Sequence, residues 1–245
     1  KMGKRLVSQA RGRGGPRYRA PSHNYLGKPQ HHPFDEKEKE GVVYGIVKDL
    51  VHCPGHSAPL AAIEYETGER GYIIAPEGLR VNQRIASGVN APIQSGNTLP
   101  LKNIPEGTEV YNIESSPGDN GKFIRTSGGF AKIVGKIRDR ILLKFPSKKQ
   151  KEFHPDCRAT IGIIAGAGRK DKPFLKAGKR YYAMKARNKL YPITKGGSMN
   201  ATDHPFGSGR GGPTYGGKAS SIAPANAPPG RNVGMIRARR TGRKK

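Results

Sequence analysis

Between Gly196 and Gly212 the chain reads GGSMNATDHPFGSGRGG, six glycines set among short polar side chains. Glycine lets backbone N–H groups approach phosphates closely and supplies positive φ angles. Asn200, Asp203, His204, Ser208 and Arg210 add donors and acceptors suited to base edges and ribose 2′-hydroxyls. Met199 and Phe206, the bulky apolar residues, follow neither helical nor strand spacing, so this stretch is expected to take its order from a partner. The chemistry it offers is contact with RNA.

A second signal lies at the other end. Arg5, Arg11, Arg13, Arg17 and Arg19 are interleaved with Gly12, Gly14, Gly15 and Tyr18. Guanidinium groups bind phosphate bidentately and stack on bases, and Tyr18 can stack as well. The run is expected to be an arm that becomes ordered inside RNA. At the C-terminus, Arg237, Arg239 and Arg240 lead into Arg243, Lys244 and Lys245, equally a phosphate-binding end or a frayed one.

Two other chemistries need weighing. A histidine side chain ordinarily has a pKa near neutrality, and His204 follows Asp203, which raises general acid–base catalysis. Consecutive side chains diverge, however, and Ser208 lies in GSG rather than in a strand–turn–helix elbow. No enzyme is expected. His52, Cys53 and His56 flank a Pro-Gly turn, with His154 and Cys157 remote in sequence, but paired ligand knuckles are missing, so zinc is not expected. His31 and His32 are expected to face RNA or solvent.

Charge agrees with the RNA reading. Lys and Arg number 45 against 18 Asp and Glu, a formal net charge of +27. Residues 1–33 carry eight basic side chains and no acidic one, and residues 196–245 carry nine against Asp203 alone. Such an excess implies a polyanionic partner. An independent nucleic-acid-compacting protein stays open on composition alone. No apolar run is long enough to span a membrane, and two cysteines far apart fit a reducing cytoplasm.

These basic groups need elements to position them. After the arm (1–33) and the charged FDEKEKE junction, Gly41–Val51 reads as a β-branched strand bent at Gly45. AAIEY and GYIIA form a hairpin across Glu66–Arg70, and Arg84–Ser87 is a further strand, which makes 34–88 a small β-barrel. A Pro/Gly-rich linker covers 89–107. A second barrel, 108–195, is expected from strands at Glu109–Glu114, Lys122–Ser127, Ala131–Ile137, Arg140–Phe145 and Ala159–Ala165, with a tight turn between Ile137 and Arg140. Ala177–Lys189 reads as a short helix with one apolar side on the barrel and the basic groups Lys179, Arg180, Lys185 and Arg187 for phosphates. Residues 196–245 form a Gly-rich basic extension.

MNATDHPFGSGRGG closely resembles the signature of the L-two family of large-subunit ribosomal proteins. Further blocks follow in family order: MGKRLVSQARGRG, YRAPSHNY, the long block Gly71–Glu114, and DCRATIG at Asp156–Gly162. Bacterial members commonly carry a second histidine and an acidic residue where this chain has Phe206 and Arg210, which points to an archaeal-type member. The resemblance implies an all-β fold, an oligonucleotide-binding-type barrel followed by an SH3-like barrel, with long irregular basic extensions. It implies a cytoplasmic structural constituent of the ribosome that binds large-subunit rRNA near the peptidyl-transferase centre. It also implies support of subunit association and peptide-bond formation without catalysis by the protein. Neighbouring large-subunit proteins and the small subunit are then the other partners. No homo-oligomer and no cofactor are expected, any Mg2+ belonging to the surrounding rRNA.

Overall fold

Apolar, β-branched runs become strands here wherever alternate residues find a core, and turn residues divide them. The computed structural model describes residues 7–137, 139–204, 206–208 and 228–230. Chain contacts divide into one unit at 21–187 and another made of 1–20 with 188–245.

Within 21–187, strands β1 (Val42–Val51), β2 (Leu60–Tyr65), β3 (Arg70–Ile74) and β4 (Arg84–Gly88) surround Val43, Val47, Ile63, Ile73 and Ile85. Strands β5 (Thr98–Pro100), β6 (Glu109–Tyr111), β7 (Ala131–Ile137), β8 (Arg140–Lys144), β9 (Gln150–Phe153) and β10 (Arg158–Ile161) enclose Leu99, Ile104, Val110, Ile133, Leu143 and Phe153. Each such fully buried side chain contributes about 1.5–3 kcal/mol. All ten strands join in one hydrogen-bonded sheet, ordered β3-β2-β1-β4-β5-β10-β6-β7-β8-β9. A third cluster, Cys53, Leu60 and Ile74 with Tyr111 and Ile164, links the two strand sets. There the Tyr111 hydroxyl donates to the Ile74 carbonyl at 2.9 Å.

Several expectations change. Register slips in β1 between Val47 and Asp49, not at Gly45. Gly45 stays in register opposite Tyr65, and a Cβ there would sit 2.7 Å from Ile63. Residues 89–107 contain β5, buried along its whole length. Lys122–Ser127 forms only a bridge, Ile113 to Phe123, because Ile124 takes φ 53°, a costly conformation for a β-branched residue that breaks the strand. β10 stops at Ile161, where Gly162 turns to φ 114°. The FDEKEKE junction winds into helix α2 (Glu36–Glu40).

Helix α3 spans Ala177–Lys185, shorter than expected, and none of its residues is buried. Tyr181 and Tyr182 are 43% and 69% exposed, so the expected apolar contact with the barrel does not form. Among the described residues, no helix is long and apolar enough to cross a membrane.

The unit of 1–20 with 188–245 holds helix α1 (Val7–Gly12), a single turn at Pro16–Tyr18, and an Asn188 side chain donating to the Arg19 carbonyl. Among its described residues, 196–208 form a loop closed by backbone hydrogen bonds.

Candidate nucleic-acid interface

The glycine-rich signature folds on itself. A 3-10 turn at Gly196–Ser198 leads into Asn200, whose carbonyl accepts from the Asp203 and His204 N–H groups at 2.9 and 3.2 Å. Ser208 N–H closes the loop on the Met199 carbonyl at 3.1 Å. Gly207 must be glycine, since a Cβ would lie 2.2 Å from the Asn200 carbonyl oxygen. The loop therefore brings Asn200, Asp203, His204 and Ser208 together by its own hydrogen bonds, with Asn200 and Ser208 exposed and the other two half-buried.

His204 is held in one tautomer. Phe206 N–H donates to its Nδ1 at 3.0 Å, and the two rings meet edge-to-face at 4.9 Å. Nδ1 is thus an acceptor, and the proton of the neutral ring sits on Nε2. A catalytic triad needs the opposite, an Nδ1–H oriented by a carboxylate. No Asp203–His204 hydrogen bond occurs among the described residues. The arrangement suits a hydrogen-bond donor to RNA.

The remaining basic side chains divide by position. Arg13 and Arg19 are exposed, as are Lys179, Arg180 and Lys185 on α3, while Arg187 is half-buried. Arg11 and Arg17 lie on described backbone, but their side chains fall outside the described residues, as do Arg5, Arg210, Arg237, Arg239 and Arg240 altogether. Residues 172–202 carry eight basic side chains and no acidic one. Residues 34–88 are the reverse, with nine acidic side chains against six basic. On that side Glu36, Glu40 and Glu66 surround an open cleft of about 650 Å3.

His31 and His32, expected to face RNA or solvent, are buried, with 5% and 3% of their surfaces exposed. The reason is an ionic cluster that fastens this part of the arm to the body. Arg158 on β10, 1% exposed, donates from Nη1 to Glu38 of α2 at 2.5 Å and to the His32 carbonyl at 2.6 Å. Its Nη2 and Nε reach Glu114 at 2.7 and 3.1 Å. Ser87 Oγ donates to Glu38, and the N–H groups of Gly118 and Asn120 donate to Glu114. Each ion thus has an opposite charge and further hydrogen bonds beside it, the condition under which buried ions are tolerated. Burial alone would raise the Glu114 carboxyl, but the Arg158 hydrogen bonds and charge outweigh it and lower its pKa. Sequence gave no local cue, because the three residues lie 44 and 120 positions apart.

The histidines titrate in opposite directions. Burial, aided by the Arg158 charge, lowers His31 from 6.5 to about 4. A hydrogen bond donated to the Glu38 carboxylate, opposed by burial, raises His32 above 6.5. For His31 the unfolded chain takes up a proton below pH 6.5 that the folded chain refuses. Stability should therefore fall as pH drops from 6.5 toward 4, by about 3 kcal/mol from this group. His32 contributes with the other sign: its stabilisation is complete below 6.5 and is lost as pH rises through its folded value. Urea unfolding across pH 4–7 checks the acid limb, which should be shallower in His31→Phe.

At the Pro-Gly turn, His56 Nδ1 lies 3.1 Å from Cys53 Sγ. Cys157 is buried beside β10, and His154 is bonded to the Asp156 N–H. Among the described residues no three His, Cys, Asp or Glu side chains are grouped to hold a metal.

Comparison with known proteins gives a consistent family. Residues 4–87 match the family model described as Ribosomal Proteins L2, RNA binding N-terminal domain, and residues 94–226 match Ribosomal Proteins L2, C-terminal domain. The chain is 52% identical over 244 residues to a large ribosomal subunit protein uL2 of Methanocaldococcus jannaschii, with 100% of both chains covered. It is 50% identical to that of Methanopyrus kandleri, covering 99% of this chain and 98% of the relative. With the protein uL2 of Methanothermobacter thermautotrophicus the identity is 47% over 244 residues, again with 100% of both covered. The two matched domains correspond to the two strand sets, an oligonucleotide-binding-type barrel followed by an SH3-like barrel.

Proposed function

The chain belongs to the Ribosomal Proteins L2 family as an archaeal-type member, and from that premise we propose that it is a structural constituent of the large ribosomal subunit that binds rRNA. It works as a scaffold for RNA and not as an enzyme. The barrels are carried by β1–β4 and by β5–β10, and the basic segments at both ends run along rRNA and neutralise phosphates. That lowers the electrostatic cost of packing RNA helices together. Within the cytoplasmic ribosome it lies near the peptidyl-transferase centre. There it supports subunit association and peptide-bond formation, with neighbouring large-subunit proteins and the small subunit as further partners.

The observation that carries this reading is the charge contrast. Helix α3 presents Lys179, Arg180 and Lys185 without a carboxylate and buries none of its residues, while Glu36 and Glu40 gather on α2. RNA is expected on the first surface and not on the second. Lys179→Glu with Lys185→Glu should weaken binding to large-subunit rRNA by about tenfold or more and reduce the salt slope by about 2. Glu36→Lys with Glu40→Lys should change affinity by less than about twofold, since exposed charges away from the RNA are screened. Filter binding with both variants decides it. Equal losses in the two would refute the assignment of faces.

A further inference from the structure

Helix α3 leaves two aromatic rings in solvent. Tyr181 and Tyr182 end a run, 166–182, in which every residue is exposed, and Phe174 and Leu175 belong to the same run. Single exposed apolar side chains are ordinary, but four within nine residues mark an interaction surface. A ring with both faces covered would show only its rim, so Tyr182, more than two-thirds exposed, offers a face.

Helical spacing decides what that surface can take. Residues three and four apart are neighbours on a helix, so the exposed Lys185 stands one turn on from both Tyr182 and Tyr181. The two rings meet edge to face, 5.5 Å between centroids. Lys179 and Arg180 occupy other sides, so α3 has no continuous apolar stripe. A helix that lies on a lipid surface or in a protein groove keeps its rings and its cations on opposite sides. Here an apolar partner covering both tyrosines would desolvate the ammonium beside them, and 172–187 hold no carboxylate to pair it. Unpaired RNA satisfies both groups at once, because bases stack on the rings while their phosphates meet the cations. Duplex RNA does not, since its base faces are already covered by neighbouring pairs.

We propose that the Tyr181–Tyr182 face of α3 holds an unpaired segment of large-subunit rRNA, with a base stacked on Tyr182 and an adjoining phosphate on Lys185. The proposal rests on the rRNA-binding reading above and adds to it a contact with bases that the charge argument does not require. Stacking is insensitive to salt and phosphate pairing is not, so the two can be told apart on one surface.

The full chain is titrated on large-subunit rRNA by filter binding at several salt concentrations. Tyr182→Ala should lower affinity by about 5- to 150-fold, the range of one base–ring stack, and leave the salt slope unchanged because no phosphate contact is lost. Tyr182→Phe keeps the ring and should bind like the wild-type chain. Tyr182→Leu keeps apolar bulk without a ring and should lose as much as alanine does. The side chain is exposed, so the variants should melt like the wild type, which thermal unfolding checks. Wild-type affinity in Tyr182→Ala, alongside the loss expected for Lys179→Glu with Lys185→Glu, would overturn the stack and leave rRNA binding intact. Wild-type affinity in both would overturn the function on which it rests. A loss in Tyr182→Ala that comes with a shallower salt slope would mean a lost phosphate contact and overturn the stack. Full binding by Tyr182→Leu would show that apolar bulk suffices, as for a protein or lipid partner, and overturn the base assignment.

Discussion

Arg158→Met should destabilise the folded chain by about 3–5 kcal/mol in urea unfolding. The side chain is 1% exposed and its removal strands Glu38 and Glu114, both of them buried. Two carboxylates without a counter-charge then face a desolvation cost that the guanidinium now offsets. The hydrogen bonds lost include the one to the His32 carbonyl, so residues 29–40 should also loosen, visible as faster amide exchange. Adding Glu38→Leu to Arg158→Met should recover part of the loss, because one unpaired charge disappears with it. Glu114 would not be relieved so simply, since the N–H groups of Gly118, Asn120 and Arg158 all depend on its carboxylate. A loss below about 1 kcal/mol for Arg158→Met would mean that water reaches the cluster and pairs its charges.

Affinity for large-subunit rRNA should drop by about 10³–10⁵ between 50 and 200 mM salt if six to ten phosphates are neutralised, on the scale set by duplex DNA. Folded RNA should give the same trend with its own slope. The formal charge of +27 is unevenly placed: the segments 1–33 and 196–245 supply sixteen of the excess charges and the 162 residues between them supply eleven. Removing 1–19, with its seven basic side chains, should therefore lower the slope more than removing an equal length of 34–88. Filter binding across the salt range measures this. An affinity flat over that range would contradict binding through phosphates.

Much of the fold was legible because apolar alternation and turn residues carry it directly. The β2–β3 hairpin, β4, β7 and β8 lie where the sequence places them, and so does the pairing of Ile137 with Arg140. What escaped depends on distant partners. β9 is QKEF, mostly exposed, and becomes a strand only because β8 presents an edge to it. β5 is a three-residue strand among prolines, held between β4 and β10. α2 read as a charged junction, yet one of its glutamates answers an arginine 120 residues away. Aromatic residues misled in the other direction: Tyr181 and Tyr182 suggested a packed helix, but nine residues crowded with cations give too little apolar face to dock.

The candidate site was partly legible. The RNA contact proposed for Gly196–Gly212 rests on residue types, and the structure adds a self-bonded loop over 196–208 that fixes the His204 tautomer. The histidines at 31 and 32 show the limit. Their surroundings come from Asn112, Glu38 and Arg158, so nothing near them in sequence marks them as buried. The expected contacts at Arg5, Arg210, Arg237, Arg239 and Arg240 lie outside the described residues.

Protein–RNA crosslinking on intact large subunits tests the account most directly. Crosslinks from Arg13, Arg19, α3 and the 196–208 loop to rRNA, with none from Glu36–Glu40, are the result it predicts. A chain found outside large subunits, or one whose crosslinks fall on α2 while α3 and the loop give none, would contradict it.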